Sequence, residues 1–186
     1  MKKVLCVIML AGLMSSQALA SGLGIFGSYW DSKDAGDTYG GGALLRLPVN
    51  PTTSQDIRGS YFEFTERFEG MRTDWEIIPV EAALLIHLVT NPGFTLYAGG
   101  GGGYYFADAT IRGVDGNDRM DIDNEFGYFA LAGLRLRLSP NMSLFAEAQY
   151  RWIDFDQAKF RGDDEKFDID LKMDGFGANA GLLLRF

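Results

Sequence analysis

Three sets of residues could carry chemistry. The first is a recurring series of charged and amide side chains on one face of alternating segments. It comprises Arg46, Glu63, Arg67, Glu81, Arg135, Arg137, Glu147, Gln149, Arg151, Asn179 and Arg185. If this face is shut off from water, its charges must pair, because an unpaired buried charge is strongly destabilising. The expectation is an interlocked ion-pair core, and the competing reading is a narrow conduit lined by the same groups. The second set is acidic: Asp121, Asp123 and Glu125 share one face of a segment, and Asp168 and Asp170 share a face of another. Such oxygen density could hold Ca²⁺ or Mg²⁺, although no EF-hand spacing is present. The simpler reading is a solvated acidic rim. The third set is His87, the single histidine, expected to be a polar residue hydrogen-bonded to a neighbour. Gly99 to Gly103 are not a phosphate loop, since no Gly-Lys-Ser/Thr follows. Positions without side chains instead leave room for long residues of neighbouring strands.

Strands must position these residues. Turn signals divide the chain after residue 20 into eight: Leu23–Asp31, Thr38–Val49, Asp56–Phe68, Trp75–Thr90, Phe94–Arg112, Ile122–Leu138, Ser143–Phe160 and Lys166–Phe186. Connections after the second, fourth and sixth carry Pro48, Pro51, Pro92 and Pro140, whereas those after odd strands are acidic and Gly-rich. The alternation is plain in the seventh, where Leu144, Ala146, Ala148, Tyr150 and Trp152 face one way and Glu147, Gln149 and Arg151 the other. The fourth puts Ile78, Val80, Ala82, Leu84, Ile86 and Leu88 opposite Glu81 and His87. In the eighth, Phe167, Ile169, Leu171 and Met173 are out of phase with Phe176 to Phe186, which predicts a bulge near Asp174-Gly175. Pro79 lacks an N–H and should mark another irregularity. Tyr29, Trp30, Trp75, Phe94, Tyr97, Tyr104, Phe106, Tyr150, Trp152, Phe176 and Phe186 fall near the strand positions expected at membrane borders.

Composition and termini agree on an exported chain. Lys2 and Lys3 precede an apolar run from Val4 to Leu13, and Ala18-Leu19-Ala20 offers small residues for a signal peptidase. Residues 1–20 thus read as a signal peptide cleaved after Ala20, and residues 21–186 as one domain. The apolar run is too short to span a bilayer. Cys6, the only cysteine, would leave with the peptide. The whole chain has 17 Lys+Arg and 25 Asp+Glu. Removal of Lys2 and Lys3 leaves 17 − 2 = 15 against 25, a net −10. Such a balance excludes nucleic acid as a partner. Apolar residues in dispersed alternation, with 24 Gly and 13% aromatics, suit a transmembrane barrel.

The chain ends on Phe186, with Leu184, Leu182, Ala180 and Ala178 before it at every second position. Asn179, Gly181, Leu184 and Phe186 resemble the C-terminal assembly signal of bacterial outer-membrane barrels, with Leu184 where an aromatic is commoner. Together with the eight-strand count and the Leu96–Tyr104 glycine stretch, this resembles the small outer-membrane barrels of the OmpA, OmpX, OmpW and opacity groups. The resemblance implies an all-β fold, an eight-stranded antiparallel transmembrane β-barrel in up-and-down order, located in the outer membrane. It further implies contact with outer-membrane lipids and lipopolysaccharide, recognition by the barrel assembly machinery, and a monomer. Short turns and both termini would face the periplasm, and acidic hairpins would protrude outside. At that outer end, Ca²⁺ or Mg²⁺ bridging the acidic residues to lipopolysaccharide is the weaker expectation.

A non-enzymatic structural or surface-interaction role with a plugged, charged lumen is the leading expectation. A narrow channel for small or apolar solutes is the alternative. Lipid A deacylases use a His-x-Ser pair, but the chain reads His87-Leu88-Val89. A soluble lipocalin-like barrel would turn apolar residues inward and leave Glu81, Glu147 and Arg151 outside.

Overall fold

The computed structural model describes residues 21–33, 36–68, 71–113, 116–122, 124–160 and 167–186, and side chains for these outside 65–72, 109–123 and 154–171. The expected signal peptide, residues 1–20, lies outside the described residues. The strands are β1 (Gly22–Ser32), β2 (Gly36–Asn50), β3 (Thr53–Phe68), β4 (Met71–Thr90), β5 (Phe94–Gly113), β6 (Gly116–Ile122), β7 (Glu125–Arg137), β8 (Met142–Trp152), β9 (Asp154–Phe160), β10 (Phe167–Lys172) and β11 (Gly175–Arg185). All pairings are antiparallel, and β11 closes the sheet against β1 from Gly22↔Arg185 to Ser32↔Gly175. Each of β6 with β7, β8 with β9, and β10 with β11 is one long strand with a break. The result is a closed eight-stranded meander barrel. Closure removes the unpaired edges that an open sheet would expose.

Two-residue alternation decides which side each residue faces. Outward are Ile25, Leu84, Ile86, Leu88, Tyr128, Phe176 and Leu184, each more than a third exposed. Inward are Arg46, Arg58, Glu81, Glu147 and Arg151, each at most 4% exposed. This placement overturns the lipocalin-like alternative, which needs the reverse. Apolar side chains also fill part of the interior: Trp30, Phe62, Ile77, Tyr105, Ile153 and Met173 form one buried cluster. Ala83, Leu85, Tyr97, Phe129 and Leu131 form a second, and Phe26, Leu44, Phe145 and Leu183 a third.

The facing-restoring bulge expected near Asp174-Gly175 is not there: the inward face stays in phase from Met173 through Gly175 and Gly177. The strand is only interrupted at Met173-Asp174, and the register shift lies in β10 between Asp168 and Leu171. The Met173 amide donates to the Ile153 carbonyl at 3.0 Å. The Ile153 amide in turn donates to Asp174 Oδ1 at 2.9 Å. Met173 was expected on the outward face, but it is 1% exposed and packs inside with Ile153. Both residues keep the inward parity of their strands, Ile153 with Arg151 and Met173 with Gly175, so each adds an apolar side chain to the lumen. The irregularity expected at Pro79 is a lapse of pairing and not a shift: register is the same on both sides, Gly59↔Val80 and Phe62↔Ile77, and the pairing opposite Pro79 is missing. The missing N–H costs ladder bonds without shifting the strand.

The two ends of the barrel differ. At one end Pro51-Thr52, Asn91-Pro92-Gly93 and residues 138–141 make short turns. At the other, β3, β4, β5, β6, β9 and β10 stay paired beyond the β1–β2 hairpin, which ends at Ser32↔Gly36. Gly36 sits at that hairpin tip with φ of 66°, a left-handed conformation that glycine adopts without strain. β4 and β5 run 20 residues each, about twice the ~9–11 that cross a bilayer. A curved sheet therefore stands proud of the closed ring on that side.

Candidate functional site in the barrel interior

The centre of the lumen holds two adjacent bonded groups, with three guanidiniums and three carboxylates between them. Cross-strand register sets Arg46 on β2 opposite Asp56 on β3. Arg46 Nε and Nη2 then donate to the two Asp56 oxygens, both at 2.7 Å. Arg58, two residues along β3, reaches Asp56 Oδ2 at 2.8 Å and Glu147 Oε2 at 2.8 Å. Arg46 Nη2 also reaches Glu147 Oε1 at 3.2 Å, and the Tyr97 hydroxyl donates to the same oxygen at 2.9 Å. Bidentate and charge-assisted bonds of this kind are the strong ones, and they fix geometry.

A second group lies alongside. Glu81 Oε1 accepts from Arg151 Nε at 2.9 Å and from the Tyr105 hydroxyl at 2.7 Å. Gln149 Nε2 joins at 3.2 Å, Asn179 Nδ2 donates to Gln149 Oε1 at 3.1 Å, and Ser28 Oγ donates to Asn179 Oδ1 at 2.6 Å. The Arg151 guanidinium lies 4.9 Å from the Trp30 ring and Arg46 lies 4.7 Å from Tyr97. Cations over aromatic faces gain electrostatic attraction where water is excluded. Arg46, Arg58 and Arg151 against Asp56, Glu81 and Glu147 make three against three, so this centre is electrically balanced.

Of the residues singled out by sequence, Arg46, Glu81, Glu147, Gln149, Arg151 and Asn179 meet here. Glu63 does not: it is exposed on the outward face, because Asp56, Arg58, Ser60 and Phe62 take the inward positions of β3 and Glu63 has the opposite parity. The Arg67 side chain lies outside the described residues. Asp56 and Arg58 are not among the residues singled out by sequence, because both faces of β3 mix polar and apolar types. Trp30 and Tyr97, assigned to an interface girdle, are 1% and 2% exposed and lie inside. The side chains of Asp121, Asp123, Asp168 and Asp170 are outside the described residues, and Glu125 is half-buried. No metal-ligating cluster occurs among the described residues.

Glycines shape this interior by close approach. A Cβ at Gly103 would stand 2.9 Å from Glu81 Cγ, so the bare backbone makes room for the Glu81 stem. One at Gly133 would stand 2.6 Å from the Tyr97 ring. The glycines thus admit aromatic rings as well as charged stems.

Nearer the short turns, His87 Nε2 and Ser54 Oγ are 3.1 Å apart. A serine beside a histidine is the start of a nucleophile–base pair. No carboxylate bonds His87 among the described residues, and Asp56, the nearest acid along β3, is occupied by Arg46 and Arg58. Arg135 Nη2 donates to Thr95 Oγ1 at 3.1 Å, and Arg137 and Arg185 stand with it around a cavity of about 360 Å³. In the C-terminal strand, Asn179 is part of the lumen network, Gly181 packs backbone to backbone against Ile25, and Leu184 and Phe186 face outward.

No protein-family model and no curated protein sequence matches the chain. Solved structures do. The attachment invasion locus protein Ail of Yersinia pestis, in complex with the heparin analogue sucrose octasulfate, is similar at 16% identity and a TM-score of 0.59, over 90% of this chain and 98% of that one. Neisserial surface protein A is similar at 14% identity and a TM-score of 0.63, over 89% and 97%. A major outer membrane protein of Thermus thermophilus is similar at 11% identity and a TM-score of 0.59, over 90% and 100%. Identities this low speak to fold, and the coverage is nearly complete in both directions: the chain has the fold of the small eight-stranded outer-membrane β-barrels.

Proposed function

We propose that residues 21–186 form a non-enzymatic outer-membrane protein of a Gram-negative-type envelope, with a lumen closed by its own side chains and a structural or surface-interaction role. The observation that carries this reading is the balanced central network. Its charged groups span from β2 and β3 across to β8, and each is at most 4% exposed. The apolar cluster around Trp30, Phe62 and Tyr105 adds a second layer. An interior of eight strands is only wide enough for side chains, so a solute would have to break several charge-assisted bonds to pass. In this reading residues 1–20 are the export signal. The outward Leu and Ile surface meets lipid and lipopolysaccharide, the C-terminal strand engages the assembly machinery, and the barrel works as a monomer. The sheet that extends past the closed ring is the surface-interaction element, and its acidic residues are the candidate holders of Ca²⁺ or Mg²⁺.

Planar-bilayer recordings on refolded residues 21–186 test it. Electrical silence from a barrel that shows the heat-modifiable gel shift is expected. Discrete, reproducible openings would overturn the closed lumen in favour of a narrow channel.

A further inference from the structure

The short-turn mouth carries positive charge that no carboxylate answers among the described residues. Arg46, Arg135, Arg137 and Arg185 line its cavity together with Ser54 and His87, and no acidic side chain does. The centre above it is balanced, three against three, so these further guanidiniums are not needed to neutralise it. Arg135 has one bond, to a neutral hydroxyl, and Arg137 and Arg185 form no ion pair among the described residues. Arg46, Arg137 and Arg185 act on Arg135 as like charges. The whole chain is acidic, at −8, so the cluster does not reflect a general excess of base.

A second observation points the same way. Arg46 is 4% exposed, and its Nε and Nη2 are taken by Asp56 and Glu147. Its Nη1 is buried with no hydrogen-bond partner. Arg58 and Arg151 also hold one unpartnered nitrogen each, but neither lines the cavity. The vestibule is therefore lined at its inner end by Arg46, whose charge is paired in the centre, and around its rim by three guanidiniums with no carboxylate partner among the described residues.

We propose that this vestibule binds a phosphoryl anion, held by Arg46, Arg135, Arg137 and Arg185, with Ser54 and His87 as neutral polar partners. Planar guanidinium forks match the oxygens of a phosphate, and several can engage one tetrahedral group at once. A volume of about 360 Å³ equals about a dozen waters at ~30 Å³ each. That is room for a pyrophosphate or for a phosphate carrying a glycerol substituent. If the barrel sits in the outer membrane as proposed above, the mouth faces the periplasm at the level of the inner-leaflet headgroups. Both a soluble phosphate compound and an anionic phospholipid headgroup can then present this chemistry.

The test uses refolded residues 21–186 in phosphatidylcholine nanodiscs, titrated calorimetrically with pyrophosphate in a phosphate-free buffer. One saturable site per barrel is expected, weakened by salt. The double variant Arg135→Gln/Arg185→Gln should bind roughly tenfold or more weakly while keeping its heat-modifiable gel shift. Should that variant not fold, Arg137→Gln alone must still weaken binding measurably. Discs containing phosphatidylglycerol separate the sources: weaker apparent pyrophosphate affinity identifies the lipid headgroup as a competing occupant, and unchanged affinity identifies the soluble anion. The proposal is overturned if pyrophosphate gives no saturable binding in phosphatidylcholine, or if it binds the arginine variants as well as the parent. Bilayer conductance is read separately, so a failed closed lumen and a failed anion site are distinguishable.

Discussion

The centre of the barrel and its short-turn mouth use the same residue type for opposite ends. In the centre, Arg46, Arg58 and Arg151 are buried and each guanidinium meets a carboxylate within 2.9 Å. At the mouth, Arg135, Arg137 and Arg185 meet none among the described residues. Water explains the difference. A charge shut away from solvent must carry its counter-charge in the fold. A charge at an open mouth can leave its partner to solvent or to a ligand. The centre is therefore where substitutions should cost stability, and the mouth is where they should cost binding.

The sharpest way to break that comparison is Glu147→Ala. It strips acceptors from Arg46, Arg58 and the Tyr97 hydroxyl together. A loss of about 3–5 kcal/mol is expected from the uncompensated buried charge, read by urea unfolding in bilayers. Next comes Trp30→Ala, which empties the apolar layer over Arg151 and should cost about 3 kcal/mol in the same assay. Gly133→Val is smaller: its side chain would displace the Tyr97 ring, for about 1–3 kcal/mol. Arg185→Gln at the mouth should shift stability by less than ~0.5 kcal/mol, in either direction, while weakening pyrophosphate binding. If Arg185→Gln destabilised as much as Glu147→Ala, centre and mouth would form one network and the distinction would fail. Glu63→Gln is the smallest, with a change within ~0.5 kcal/mol, because Glu63 lies outside the lumen.

Much of this was legible in the residues. Apart from the sixth strand, which begins at Gly116 rather than Ile122, the strand limits agree with the observed ones to within a few positions, since Pro- and Gly-bearing turns punctuate a period-two pattern. The fourth and seventh strands oriented correctly because each holds an unbroken apolar face, Ile78 to Leu88 and Leu144 to Trp152. The third strand did not. Its inward face runs Ser54, Asp56, Arg58, Ser60, Phe62, and its outward face holds Gln55, Ile57, Gly59, Tyr61 and Glu63. Both faces mix polar and apolar types, so alternation alone does not say which is inside. Trp30 and Tyr97 misled for a related reason. An aromatic suits the lipid border as well as a lumen whose facing wall is glycine, and Gly133 across from Tyr97 is visible only once β5 and β7 are paired.

By itself the sequence determined the class of the molecule: alternation, turn spacing and dispersed apolar residues admit a barrel with lipid outside and charge inside. Those are local properties of each strand, set by the two-residue pleat and by turn chemistry. Tertiary structure decided which charges meet. Closure of β11 on β1 and the Arg46↔Asp56 register bring side chains from distant strands within bonding distance. They also gather Arg135, Arg137 and Arg185 at one mouth with no counter-charge among the described residues. Pairing across a lumen depends on stagger summed around the whole ring, and no single strand encodes that sum.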